Sequence, residues 1–218
     1  MANQKIHEYL NTATSVADQD YFDMDQFDGV NYSTAKISGQ DLRSSLNVGK
    51  YSQTDPSADK TGTIYQSILS GVGEGSLTVP ANTFKKGDTY ICELHGIMSS
   101  ANNEDIYFDT FGGVAGATLL TSTGAIKLAT TSDKVFSLKI KFAIHEIGAA
   151  GVADIHLYTE FIHTNNASAK AEIVQLYDDN TTLFDTTVAN TLDIKVKFST
   201  TNGSNKARSI MFTLFKVY

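Results

Sequence analysis

Cys92 and His95 are the residues of this sequence whose types most readily suggest chemistry. A thiol three residues from an imidazole could supply a nucleophile and its base for acyl transfer, provided both project to one side of the backbone. They lie in SLTVPANTFKKGDTYICELHGIM (residues 76–98), which alternates, turns at Lys-Lys-Gly-Asp and then alternates again. Successive side chains of a strand point to opposite faces. Tyr90, Cys92 and Leu94 therefore share one face, and Ile91, Glu93 and His95 the other, which separates the two groups. The stretch reads as two strands and their corner. Pro80 sits at an edge or bend, where its missing amide costs least.

Other motifs fall short in similar ways. His-Glu-Ile-Gly-Ala at 145–149 opens like the zinc-protease H-E-x-x-H, but Ala149 stands where the second imidazole belongs. The segment also has the period of a strand, whereas that motif needs a helix to bring both imidazoles to one face. In DQDYFDMDQFDG (18–29), Asp23, Asp25 and Asp28 precede Gly29 one residue off the EF-hand register, and Thr34 holds the place of the closing glutamate. This segment reads as a solvated acidic face interleaved with docking aromatics, with a weak calcium site of another type at the three aspartates as the alternative. GVGEGS (71–76) lacks the strand-to-helix context of a phosphate loop and reads as a mobile turn. No G-x-S-x-G elbow is present. His95, His145, His156 and His163 all fall in alternating segments and read as outward polar residues. A cluster of them across strands stays open, because it cannot be read along one strand at a time. Acids are numerous, but none cluster on strands amid aromatic platforms, so no glycosidase pair is assigned. No catalytic residue, metal ligand or cofactor is expected.

Composition narrows the function classes. The net charge of −7 and the absence of a lysine- or arginine-rich stretch argue against nucleic acid and against an anionic membrane surface. No window approaches the roughly 18 apolar residues of a membrane helix. MANQKIHEYL has no cationic region followed by an apolar one, so no secretory signal is expected. A single cysteine forms no internal disulfide, which suits synthesis in a reducing cytoplasm. The abundance of Thr, Ser, Asn and Gly suits strands and their turns.

The elements follow from periodicity. From about residue 62 onward, period two dominates. In KVFSLKIKFAIHEIG, Phe136, Leu138, Ile140, Phe142 and Ile144 share a face, with Ser137, Lys139, Lys141 and His145 opposite. Leu192, Ile194, Val196 and Phe198 repeat the pattern, as do Ile155, Leu157 and Phe161. About nine or ten short strands without crossover helices predict an all-β, antiparallel jelly-roll sandwich. Residues 1–48 differ: they are polar, with a helix-like start and a short helix expected from Ser38 or Gly39 that carries Leu42 and Leu46. They read as a mostly irregular segment that docks on a partner. Residues 49–61 lack apolar periodicity and read as a linker, and 70–76 as a flexible loop. The expected division is thus 1–48, 49–61 and 62–218.

The last strand, ARSIMFTLFKVY, is apolar on both sides: Ile210, Phe212 and Leu214 on one face, Met211, Phe215 and Val217 on the other. A sandwich buries only its inner face, so the outer row needs a partner, most simply another copy of the chain.

LTVPANTFKKGDTYICELHGIM resembles the signature of jelly-roll domains in bacteriophage virion proteins, where a strand entering at "ipAn.f..Gd" is followed by "y.i...G". FSLKIKFAIHEIGAAGVADIHLYTEF is similar to their long paired strands broken by a Gly-rich turn. TTLFDTTVANTLDIKVKFSTTNGSNKARSIMFTLFKV resembles their closing pattern, with an asparagine-bearing loop between the last two strands. DQDYFDMDQFDGVNYSTAKISGQDLRSSL is similar to the short leader of phage tail-fibre and head-fibre proteins; Phe22, Lys36, Ile37 and Leu42 occupy its recurring positions.

The resemblance implies a homotrimeric fibre, spike or capsid decoration with a tumour-necrosis-factor-like jelly-roll head, located on the virion. Residues 1–48 would attach it to capsid or tail proteins, with Tyr21, Phe22, Phe27, Lys36, Ile37 and Leu42 as docking positions. Met211, Phe215 and Val217 would lie near the three-fold axis. Loops bearing Asn102, Asn103, Asn202 and Asn205 are the candidate contacts for host-surface carbohydrate. Without heptads or a collagen-like repeat between leader and head, a stubby spike is expected. The rival expectation is a phage-tail depolymerase or esterase acting on surface polysaccharide from a jelly roll.

Overall fold

The computed structural model describes residues 21–27, 32–38, 50–165 and 170–218, the first two segments in their backbone. By its contacts the chain divides into a unit of residues 1–47 and a unit of residues 48–218. In the first, β1 (Tyr21–Phe27) and β2 (Tyr32–Ser38) pair as an antiparallel hairpin. The register sets Phe22 opposite Ile37, Asp23 opposite Lys36 and Phe27 opposite Tyr32. The expected irregular segment is therefore strand where it is described. Aromatic and β-branched residues favour the extended backbone, and Asp28-Gly29 between the strands is a hairpin signal. Ser38 ends β2; the helix expected beyond it, Leu42 and Asp28 lie outside the described residues.

The second unit begins with β3 (Lys50–Gln53), β4 (Gln66–Ser67), β5 (Gly73–Ser76) and β6 (Thr78–Val79). Next come β7 (Thr89–Ser100), β8 (Glu104–Gly112), a 3-10 turn at Val114–Gly116, β9 (Thr118–Ser122) and β10 (Ile126–Leu128). The two long strands β11 (Thr131–Glu146) and β12 (Asp154–Asn165) lead to β13 (Lys170–Asn180) and β14 (Asn190–Thr191). β15 (Asp193–Phe198) and β16 (Lys206–Lys216) complete the unit. One sheet has the order β13-β12-β11-β7-β16-β3-β5; the other runs β10-β8-β15-β4, with β9 also on β8. The pairings are antiparallel, so the chain is the all-β sandwich that its period-two segments predict. β7 pairs with β16 in the first sheet, and their continuations β8 and β15 pair in the second. This two-stranded ribbon crosses from sheet to sheet, as in a jelly roll.

Alternation places the core. Phe136, Leu138, Ile140, Phe142 and Ile144 of β11 are buried, as are Ile194, Val196 and Phe198 of β15. Phe108 from the second sheet meets Phe136 and Phe161 from the first, with centroids 5.1 and 4.9 Å apart. Each such fully buried side chain stabilises the fold by about 1.5–3 kcal/mol, which fixes which face of every strand turns inward.

Three segments depart from expectation. The stretch expected as a linker, 49–61, packs on the sandwich where it is described, from residue 50: β3 pairs with β16, Tyr51 is buried, and Lys60 bridges Ala207. Their burial is polar, which is why no apolar period announces it. Ser57 donates its N–H to Ser209 O at 2.9 Å, and its Oγ accepts the Ser209 N–H at 2.9 Å. Residues 70–76, expected as a loop, include β5 on the edge beside β3. A side chain at Gly75, where φ is +96°, would run into Lys50 O, so glycine permits the close approach. Finally, Ile210 faces out rather than in, because the β16–β7 register shifts between Ser209 and Met211. The bulge sets both Ile210 and Met211 on the outer side.

Candidate functional site

The two asparagine-bearing loops converge at one end of the sandwich. Asn102 and Asn103 form the exposed turn between β7 and β8, with Asn103 at φ +60°. Asn202 is exposed in the loop from β15 to β16. Glu104 ties the two loops together. Its carboxylate accepts the Ser199 hydroxyl, the Thr200 N–H at 2.8 Å and the Thr200 hydroxyl at 2.6 Å. Burial alone would raise this carboxyl, but hydrogen bonds from Ser199, Thr200 and Asn205 outweigh it and hold the group at about 2.

Asn205 has a different place from its neighbours. It is fully buried; its Oδ1 accepts the Ala101 N–H at 3.0 Å, and its Nδ2 donates to Thr200 O at 3.1 Å. It organises the loop from inside, so Asn102, Asn103 and Asn202 supply the exposed amides. Asp105 and Lys127, an ion pair at 2.8 Å, edge this surface, and Lys127 also reaches Asn103 O at 3.4 Å.

The second candidate surface is the outer face of the large sheet. Met211, Phe215 and Val217 are exposed, at 50%, 40% and 55%. Phe215 is opposite Ile91 and Met211 opposite His95, both on β7, so the apolar row lies on a strand flanked by neighbours on both sides. Tyr218 follows it, 80% exposed. A row of this kind on a central strand is the part of a sheet most in need of cover.

Cys92 and His95 stand as the alternation separates them. Cys92 is buried and burial pushes its thiol well up, while His95 is exposed on the opposite face. The other histidines divide. His163 is buried instead of outward, because β12 turns Thr159, Phe161 and His163 inward together. It stacks on Phe161 at 5.2 Å, and burial, partly offset by Glu172, lowers its pKa. His145 and His156 are on the outer side, and β11–β12 pairing stacks their rings and brings ligand atoms of both within 4.8 Å of one on Asp154. Sequence reading missed this grouping. Its only trace was Asp154-Ile155-His156, which sets two ligand types on one side of a strand.

Acids do gather among aromatics on the second sheet. Asp109 accepts the Ser122 hydroxyl at 2.7 Å, Asp193 accepts the Ser67 hydroxyl at 2.6 Å, and Lys195 lies 4.1 Å from the Phe111 ring centre. Burial raises the Asp193 carboxyl above its usual range. Between the sheets, Leu77, Phe84, Phe142 and Phe184 help to line a cavity of about 30 Å³, room for a water molecule rather than a sugar.

No family model matches the chain, and no curated protein matches it.

Proposed function

We propose that this chain is a structural or adhesion protein of a phage particle. It acts as a trimeric short spike or capsid decoration that docks through residues 1–48 and displays the sandwich as its head. The observation that carries the reading is the exposed row of Met211 and Phe215 on central strand β16, continued by Val217 just past its end. Such a row is covered most economically by the same row of other copies, and a closed ring of three needs no further contact. The loop end bearing Asn102, Asn103 and Asn202 offers polar amides suited to a carbohydrate of the host surface.

Light scattering on the full chain and on residues 48–218 tests the assembly. Both should have three times the chain mass, and Phe215→Asp with Met211→Ser should return both to monomers. A monomeric wild type overturns the trimer. Immunogold microscopy of particles from infected cells should label virions, at the head or the tail; label confined to the host cell overturns the particle assignment.

A further inference from the structure

We propose that His145, Asp154 and His156 form a binding site for a divalent transition ion of the Zn²⁺ type on the outer rim of the large sheet. The backbone creates the juxtaposition. β11 and β12 pair with Ala143 opposite His156 and Ile144 opposite Ile155, and then Glu146 takes the place opposite Asp154. His145 is the extra residue of this bulge, a feature that re-aims a side chain. Its imidazole lies flat on that of His156, with ring centres 3.6 Å apart and planes within 6°. Asp154 and His156, two apart on β12, project from the same side.

One ligand atom from each of the three residues lies within 4.8 Å of the others. Bonds of about 2.0–2.2 Å from a tetrahedral ion set its donors about 3.3–3.6 Å apart, so the site closes when the exposed His145 ring turns out of its stack until its nitrogen, like that of His156, points at the shared ion. Two imidazoles and one carboxylate are the donor set of borderline divalent ions such as Zn²⁺, Co²⁺ or Ni²⁺, and a poor one for Ca²⁺ or Mg²⁺. The segment rejected as a zinc-protease helix thus supplies a ligand through its cross-strand neighbours.

The surroundings resemble a prepared site. Tyr177 on β13 places its hydroxyl 2.7 Å from His156 Nδ1, which orients the ring and leaves Nε2 toward Asp154 Oδ2 at 2.9 Å. Ligand histidines commonly have the second nitrogen fixed in this way. The other carboxylate oxygen, Asp154 Oδ1, is out of solvent without a hydrogen-bond partner, a condition that a cation relieves. His145 is exposed, so an ion enters from solvent and a water can complete its shell. Asp179, exposed and opposite His156 across β12–β13, adds negative charge beside it.

The test is titration of the untagged full chain, stripped with chelator, with Zn²⁺ alone in a calorimeter. Binding of one ion per chain is expected. His145→Ala, His156→Ala and Asp154→Asn should each weaken it by at least about tenfold, and Tyr177→Phe by less. His95→Ala, on the same sheet face but outside the site, should leave it unchanged. Co²⁺ added to the wild type should give the visible absorption of a nitrogen- and oxygen-ligated ion, a readout that requires no variant to fold. Absence of stoichiometric Zn²⁺ binding, a colourless Co²⁺ titration, or binding that survives the double loss of His145 and His156 overturns the proposal.

Discussion

Glu104 and Thr200 are joined twice across the end of the sandwich: the carboxylate accepts both the backbone N–H and the hydroxyl of the threonine, at 2.8 and 2.6 Å. A surface turn and a seven-residue loop are thereby made one surface, and the joint is electrostatic.

Glu104→Gln should destabilise the head by about 1–3 kcal/mol at neutral pH, since a buried charge-assisted set of hydrogen bonds is replaced by weaker ones. The carboxyl is held at about 2 against an ordinary 4.5. A depressed acid contributes fully above its unfolded value and loses that contribution as pH falls through its folded value. Urea midpoints of wild type and variant should therefore converge between about pH 4.5 and 2, and a gap that persists at the acid end would disprove the role.

His163 acts in a higher window. Burial lowers its pKa from an ordinary 6.5, so the unfolded chain takes the proton more readily than the folded one. Stability should fall as pH drops below about 6.5, before Glu104 begins to titrate. His163→Leu should remove this first decline in a plot of urea midpoint against pH and leave the second. An unchanged profile would show that another group is responsible.

The third prediction concerns β3. Tyr51 is 8% exposed and its ring lies 6.2 Å from that of Phe212. Tyr51→Ala should cost about 3 kcal/mol, the usual scale for deleting a buried aromatic ring. A fragment starting at residue 62 should melt well below one starting at 48. Equal melting temperatures would return residues 49–61 to the status of a tether.

Much of this fold was legible because burial on one face leaves a period. Phe136 to Ile144 and Leu192 to Phe198 show it without interruption, and each of these inward residues is buried. The misread segments are those where burial is polar or the period slips. Gln53 and Ser57 are buried through hydrogen bonds, and polar residues carry no hydropathy signal. Ile210 follows the slip at Ser209, and a bulge leaves no mark in residue type. The grouping of His145 with His156 was hidden for the same reason: it depends on the register of two strands and on one bulged residue. The exposed row along β16 and just past its end was legible residue by residue, since Met211, Phe215 and Val217 are apolar where a lone sandwich would be polar.

The place of β16 also bears on synthesis. It lies between β7 and β3, so the large sheet cannot close until residues 206–216 have left the ribosome. Until then β7 presents one long unpaired edge, and β3 lacks its principal neighbour. Nascent chains clustered on one message would expose complementary open edges at high local concentration. Closure of the large sheet is therefore governed by the capture of a late strand into a gap between early ones. A chaperone that shields the β7 edge during translation should raise the yield of soluble protein more than one that acts on completed chains.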